Sequence, residues 1–206
     1  IRQISTLVHT EKLDGENNCL SRYGVFARSH VAPTTSPWTS QLRQRWELLK
    51  TIWGILNLFG ENLYAVHSIE YKRLETHFYV FAVRCLDKWL SWDEVKFYAA
   101  LFDLPTVPEL CTECVDGLTV ASLEQHVVCL AQEPSVFGSC DALTGLDCTR
   151  EGVVTRNIGE YATADFAHNV FKYVRKGHVQ TGEHWTRHWK RARLVWELRQ
   201  EKGGNR

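Results

Sequence analysis

Short segments that alternate apolar and polar residues are the feature that most constrains the fold of this chain. They occur in residues 1–31, in two runs within 57–83, and again near 151–156 and 170–175. Such alternation is typical of half-buried strands. Helical patterns separate these strands, but strands and helices do not alternate regularly, which argues against a doubly wound parallel sheet. The sequence therefore predicts an α+β fold.

Four segments have the periodicity of amphipathic helices, and two of them carry clear start signals. Ser36 followed by Pro37 is a typical cap and first helical position. Ser91 and Glu94 have the spacing of a capping box. A turn at Tyr23-Gly24, between apolar residues, predicts a hairpin in the first part of the chain. The helices are expected over about 37–56, 91–102, 119–132 and 184–202.

Length and composition fit one globular domain with a short appendage. The 206 residues are 44% hydrophobic, and the formal net charge is zero. We expect residues 1–183 to form the main domain and residues 184–206 to form a basic helical tail, packed on that domain or appended to it. Because no net charge attracts nucleic acid, any such binding must use a local patch. The sequence has no methionine, even at position 1, so we expect a trimmed or excised piece.

Cysteine usage and hydropathy bear on the compartment. The seven cysteines are scattered, and only Cys111 and Cys114 form a close pair. A zinc site at that pair stays open, but reduced thiols in a core are the favoured interpretation. The sequence shows no signal peptide and no apolar run of membrane length. We therefore expect a protein of the cytoplasm or another reducing intracellular compartment, without a membrane partner. We also expect a monomer.

The stretch Glu11-Lys12-Leu13-Asp14-Gly15 follows an apolar run and places a lysine at the end of a predicted strand. A lysine held among apolar walls and other cations loses its proton more easily, and the neutral amine is a nucleophile. Gly15 allows a sharp turn or a close approach to a phosphate. The alternative is a polar Asp-Gly turn that joins two strands of a hairpin.

Together with motifs further along the chain, this stretch resembles the covalent nucleotidyltransferase superfamily of polynucleotide ligases and mRNA capping enzymes. It matches motif I of that superfamily. The other motifs follow in the family's order: Ala27-Arg28-Ser29, Phe59-Gly60-Glu61, Phe78-Tyr79-Val80-Phe81, Glu151-Gly152-Val153-Val154 and Phe171-Lys172-Tyr173-Val174-Arg175. Within the superfamily, the chain is similar to ATP-dependent RNA ligases of the phage RNA ligase 2 type and to small RNA ligase proteins of bacteria and phages. The resemblance implies two antiparallel sheets with flanking helices around a nucleotide cleft.

The resemblance also implies an activity, the ATP-dependent joining of RNA 3′-hydroxyl and 5′-phosphate ends. Lys12 would be the nucleophile that forms a lysyl–AMP intermediate, and AMP would then pass to the RNA 5′ end. Lys172 and Arg175 would stabilise phosphate charge, although the family usually has two lysines separated by one residue here. Glu151 would help to hold Mg²⁺ (or Mn²⁺). The residues expected to contact ATP are Glu11, Arg28, Glu61, Phe81, Glu151 and Lys172.

Several alternatives stay open at this point. Phe78 could replace Phe81 as the residue that stacks on adenine. RNA is expected to contact Arg28, Lys190, Arg191 and Arg193; the last three, together with Arg187, form the densest local basic patch. A packed helix with a solvated charged face is the alternative for that patch. A capping guanylyltransferase would use the same lysine with GTP, and a non-catalytic relative would only bind RNA.

Overall fold

The computed structural model describes residues 4–176 and 189–203, so the predicted boundary after residue 183 lies outside the described residues. The strands are β1 (Thr6–Lys12), β2 (Glu16–Ser21), β3 (Gly24–Ala27), β4 (Leu56–Asn62), β5 (Ile69–Tyr71), β6 (Phe78–Cys85), β7 (Lys88–Trp89), β8 (Glu109–Cys114), β9 (Ser139–Asp141), β10 (Gly152–Asn157), β11 (Tyr161–Ala162) and β12 (Val170–Val174). A four-stranded sheet has the order β12-β10-β1-β8, and a six-stranded sheet has the order β11-β7-β6-β4-β2-β3. Every pairing in both sheets is antiparallel, and β5 pairs with β9 in a small third sheet.

The helices lie between and around these strands, which confirms the predicted α+β class. They are α1 (Ser40–Leu49), α2 (Trp92–Leu101), α3 (Val120–Gln132), α4 (Phe166–Asn169) and α5 (Val195–Gly203). The capping box that opens α2 is present, since Ser91 and Glu94 bond to each other's backbone. The first helix is shorter than predicted: it ends at Leu49 and not near residue 56, where β4 already begins.

The tail differs most from its prediction. Residues 189–194 are extended and not helical, so the prediction of a continuous helix is wrong there, whereas α5 confirms its last part. The reason is that these backbone groups bond to a distant loop. Val66 donates to the Lys190 carbonyl at 2.9 Å, and Ala192 donates to the Tyr64 carbonyl at 2.8 Å. Ala192 is buried, so this segment is packed on the domain.

The core lies between the sheets and under α1 and α2. Leu20, Leu58 and Val80 come from the six-stranded sheet, and Trp53 and Trp92 belong to the same core; all five have at most 1% of their surface exposed. Full burial of one such side chain contributes about 1.5–3 kcal/mol. Trp53 is therefore a core residue although it lies after the end of α1.

Two findings concern the compartment prediction. All seven cysteines lie within the described residues, and all of them are free thiols. Among the described residues, none of the helices combines the length and the apolar composition that a membrane span requires. The intracellular location and the monomeric state stay predictions.

Candidate active site

Lys12 lies where the chain passes from one main sheet to the other. It is the last residue of β1 in the four-stranded sheet, and Glu16 begins β2 in the six-stranded sheet. The turn between them requires Gly15, because a Cβ there would lie 2.5 Å from the Asn62 carbonyl oxygen. The lysine ammonium forms an ion pair with Glu151, and 25% of the lysine side chain is exposed. The predicted nucleophile is thus accessible and held at the junction of the sheets.

Strand register brings Lys172 to the same face of the four-stranded sheet as Lys12. Gly152 on the central β10 pairs with Lys12 on one side, while Val154 pairs with Lys172 on the other. Residues two apart on a strand share a face, so the two lysines project in the same direction. Gly152 is required between them, since a Cβ there would lie 1.9 Å from the Tyr173 carbonyl oxygen.

The pKa of Lys172 is lowered from its ordinary value. Its side chain reaches the surface, but partial desolvation by neighbouring protein atoms is the main cause, followed by the positive charge of Lys12. The positive charge of Arg28, an exposed residue, lowers the same pKa, so this arginine lies within electrostatic reach of Lys172. The structure therefore gathers three cations from different parts of the sequence.

Glu61 brings a carboxyl group to these cations from the six-stranded sheet. One of its oxygens accepts a hydrogen bond from the Gly15 backbone N–H at 3.1 Å. The pKa of Glu61 is raised to about 8, mainly by burial; the charge of Lys12 lowers it, and the negative charges of Glu151 and Asp14 raise it. Glu61, Glu151 and Asp14 therefore interact electrostatically, and a bound cation would stabilise their ionised forms.

Asp14 and Tyr71 support this turn and were not assigned as site residues from the sequence. The Asp14 carboxylate accepts hydrogen bonds from the backbone N–H groups of Ser68 and Ile69 and from the Ser68 hydroxyl, each at 2.8 Å. The Asp14 N–H donates to the Tyr71 hydroxyl at 2.8 Å. These bonds fix the loop after Lys12 against residues 54–57 positions away, a distance in sequence that no local pattern reveals.

A β-bulge distinguishes the two phenylalanines considered for adenine. Phe59 pairs with Ala82 and Gly60 pairs with Val80, so Phe81 is the extra residue on β6. Bulges redirect side chains and are frequent next to active sites. Phe81 is only partly buried, whereas Phe78 is 4% exposed in the core. The structure thus favours Phe81 as the ring available to a ligand.

Arg156 connects the two sheets beside this bulge, and sequence reasoning missed it. Its guanidinium donates to the Phe81 carbonyl oxygen and lies over the Trp92 ring, 5.1 Å from the ring centroid. Burial lowers the pKa of Arg156 to about 10, so the side chain stays cationic at neutral pH. An arginine inside the apolar run Gly152–Asn157 was the signal that could have identified it.

Two predicted residues are not brought to the cluster. Glu11 is buried, and its carboxylate accepts a hydrogen bond from the Val136 N–H at 3.0 Å, because its side chain lies on the sheet face opposite Lys12. Burial raises the pKa of Glu11. Arg175 lies directly after β12 and three residues from Lys172, so the strand alternation directs it to the opposite face of the sheet. Its positive charge helps to lower the pKa of Asp141. The sequence prediction for both residues stays untested, and the geometry favours Lys172 over Arg175.

The three basic tail residues predicted to bind RNA are each paired with a carboxylate. Lys190 lies 2.6 Å from Glu70, Arg191 forms a bidentate pair with Glu197, and Arg193 lies 2.8 Å from Glu201. These pairs neutralise Lys190, Arg191 and Arg193, while Arg187 lies outside the described residues. The charged, solvated face of the alternative agrees with these pairs, but the packed helix that it assumed is not present at residues 189–194.

Comparison with solved structures identifies the class of fold. A Naegleria gruberi RNA ligase mutant with ATP and Mn aligns with a TM-score of 0.54 and 18% identity, over 86% of this chain and 52% of that chain. The same ligase with PPi gives 0.55 and 19%, over 86% and 52%. An archaeal ATP-dependent RNA ligase gives 0.50 and 16%, over 82% and 42%. The chain has the nucleotidyltransferase fold and spans about half the length of these ligases.

The sequence comparison names the family within that class. The family profile described as RNA ligase matches residues 5–174, so the chain belongs to the RNA ligase family. This confirms the family suggested by the motifs. A search of the curated proteins found no match.

Proposed function

We propose that this chain is the nucleotidyltransferase domain of an ATP-dependent RNA ligase, which joins RNA 3′-hydroxyl and 5′-phosphate ends. The observation that carries the proposal is the grouping of Lys12 on β1, Lys172 on β12 and Glu151 just before the β10 that separates these strands, with Glu61 approaching from the other sheet. The shifted pKa values of Glu61 and Lys172, both influenced by Lys12, are typical of functional sites. Membership of the RNA ligase family supports the same chemistry.

In the first step, the Nζ atom of Lys12 forms a bond to the α-phosphorus of ATP. The bond from that phosphorus to the bridging oxygen breaks, and pyrophosphate leaves with its electron pair. The amine must be neutral to attack. Glu151 contacts the Lys12 ammonium directly and is placed to receive its proton. Lys172 would stabilise charge on the phosphate oxygens in the transition state.

In the later steps, Lys12 is released as AMP passes to an RNA 5′-phosphate. The P–N bond to the lysine breaks as the phosphate oxygen attacks, and Lys12 regains a proton. A 3′-hydroxyl then attacks the activated phosphate and releases AMP. Arg28, which is exposed beside Lys172, is placed to contact either the nucleotide or the RNA phosphate.

The charges present fit a divalent cation. Carboxylate oxygens are the donors that Mg²⁺ and Mn²⁺ prefer, and Glu61 and Glu151 lie close enough to raise the pKa of Glu61. A bound cation would neutralise phosphate charge during transfer. Glu151 is the residue we assign to hold it. Phe81 is assigned to the adenine base because the bulge leaves its ring partly exposed.

The proposal is tested by following a labelled nucleotide through all three steps. The chain is incubated with α-labelled ATP or GTP and Mg²⁺, and then with 5′-phosphorylated RNA. We expect a covalent protein adduct from ATP, transfer of the label to RNA, and sealed product. An adduct from GTP alone would favour the capping guanylyltransferase. RNA binding without any adduct would favour the non-catalytic relative.

A further inference from the structure

A second cluster of chemically active side chains lies on the other face of the four-stranded sheet. His9 is in β1, three residues before Lys12, and therefore projects from the face opposite the lysine. Glu113 comes from β8, next to β1, and His126 comes from α3, which covers this face. His9 is fully buried, while the other two are partly buried. The proposed ligase reaction uses none of the three.

The donor atoms have the spacing of a metal site. One Glu113 oxygen, Oε2, lies 3.2 Å from His9 Nε2 and 3.0 Å from His126 Nδ1. All three donor atoms lie within 4.8 Å of one another. Adjacent ligands of a tetrahedral ion with bonds of about 2.0 Å are about 3.3 Å apart. A cation that enters between these atoms therefore needs only small side-chain movements.

A partner that orients a ligand is also present. His9 Nδ1 lies 2.9 Å from the Thr155 hydroxyl on β10. Ligating histidines usually use their second ring nitrogen in such a bond, which fixes the orientation of the ring. His9 is thus held with Nε2 directed at Glu113 and His126.

We propose that His9, Glu113 and His126 form a zinc-binding site. Two imidazoles and one carboxylate suit Zn²⁺, whereas Mg²⁺ prefers an all-oxygen shell. Three protein ligands leave a fourth position for water. The ion would join β1, β8 and α3, and so stabilise the sheet that carries Lys12 from behind.

The site differs from the cysteine pair considered from the sequence. Cys111 and Cys114 both lie in β8, and residues three apart on a strand project from opposite faces. The pair cannot hold one ion without breaking the strand. Cys111 lies 4.0 Å from His126 Nε2, the ring nitrogen that does not face Glu113, so we do not count it as a ligand.

Zinc binding is tested with the full chain after treatment with a chelator. Zn²⁺ is titrated by calorimetry, and the melting temperature is measured with and without Zn²⁺, both in excess Mg²⁺. We expect one equivalent of Zn²⁺ to bind and to raise the melting temperature, since binding to the folded state stabilises it. His126→Ala and Glu113→Gln should each weaken Zn²⁺ binding by at least about tenfold. Cys129→Ser, on the next turn of α3, is the matched control and should bind like the original chain.

Two outcomes would overturn the site. One is a chain that binds no Zn²⁺, or loses it to Mg²⁺. The other is unchanged Zn²⁺ affinity in His126→Ala and Glu113→Gln variants whose circular dichroism shows an intact fold. Both variants leave Lys12 and its neighbours untouched, so formation of the AMP adduct tests the ligase proposal separately.

Discussion

The cleft around Lys12 and the tail that ends in α5 both contain mixed charges, but the pKa shifts run in opposite directions. In the tail, the hydrogen bond between Arg191 and Glu197 raises the pKa of the arginine and lowers that of the glutamate. In the cleft, burial raises the pKa of Glu61 and lowers that of Lys172. Tail charges are therefore stabilised by their partners, whereas cleft charges are held in unfavourable surroundings.

This contrast separates charges that stabilise a fold from charges kept for a ligand. Exposed ion pairs are each worth about 0–1 kcal/mol and leave no strong field for an outside partner. Crowded groups at a sheet junction are costly in the free protein, and a nucleotide with its cation would relieve that cost. Charge density along the sequence does not distinguish the two cases, because the tail looks more basic than the cleft.

The largest expected effect comes from removing a cleft cation. Lys172→Gln should lower the rate of AMP adduct formation by about 10²–10³-fold, since one lost electrostatic stabiliser costs roughly that much. Adduct formation in a single turnover is the measurement. Lys88→Gln is the control, because this exposed lysine on β7 pairs with Glu160. A rate for the Lys172 variant within a few-fold of the control would remove it from the reaction.

The two phenylalanines of β6 should separate binding from stability. Phe81→Leu should raise KM for ATP with little change in melting temperature, because the ring is partly exposed at the bulge. Phe78→Leu should instead lower the free energy of unfolding by about 1–3 kcal/mol, as is usual for a core residue. ATP titrations and thermal melts of both variants make the comparison. If the two effects are exchanged, the assignment of the adenine-facing residue is wrong.

The raised pKa of Glu61 predicts a pH effect on stability. The folded state holds a proton on Glu61 up to about pH 8, while the unfolded state releases it near the ordinary pKa. Stability from this group is therefore complete at low pH and is lost as pH rises toward 8. Glu61→Gln, which stays neutral, should lack this fall when denaturant unfolding is measured from pH 5 to 8. Glu124→Gln, an exposed change on α3, serves as control, and parallel pH profiles for all three proteins would contradict the prediction.

The smallest effect is expected in the tail. Changing Lys190, Arg191 and Arg193 together to Gln should leave adduct formation intact and cost about 0–1 kcal/mol of stability per exposed pair. The salt dependence of RNA binding should also stay nearly the same, while Arg28→Gln should reduce its slope by about one unit. Binding measured at two salt concentrations decides this. A flatter slope in the tail variant would mean that RNA contacts Lys190, Arg191 and Arg193, as the sequence predicted.

Local patterns predicted the elements whose partners are near in sequence. The hairpin at Tyr23-Gly24, the capping box at Ser91 and α3 are of this kind, and all are present. The tail could not be predicted in this way, since its residues 189–194 bond to a loop more than a hundred positions earlier. Helical periodicity in a sequence favours a helix only when the backbone has no such distant hydrogen-bond partner.

The candidate site also contains residues that the sequence could predict and residues that depend on distant contacts. Motif order identified Lys12, Glu61 and Lys172, and the structure places them around one point. The roles of Asp14 and Arg156 depend on contacts between distant segments, so a linear pattern contained only their residue types. Cys111 and Cys114 project from opposite faces of β8 because they are three residues apart on a strand. Their spacing in the sequence alone could not show this.

The central claim is that Lys12 carries AMP, and mass spectrometry tests it most directly. The chain is incubated with ATP and Mg²⁺, the intact mass is measured, and the adduct is located by peptide mapping. We predict one added AMP on the peptide that contains Lys12. Lys12→Ala should form no adduct while keeping its melting temperature, and Lys50→Ala, an exposed change after α1, should behave like the original chain. An adduct of normal yield in the Lys12→Ala variant, or one mapped to another residue, would contradict the account.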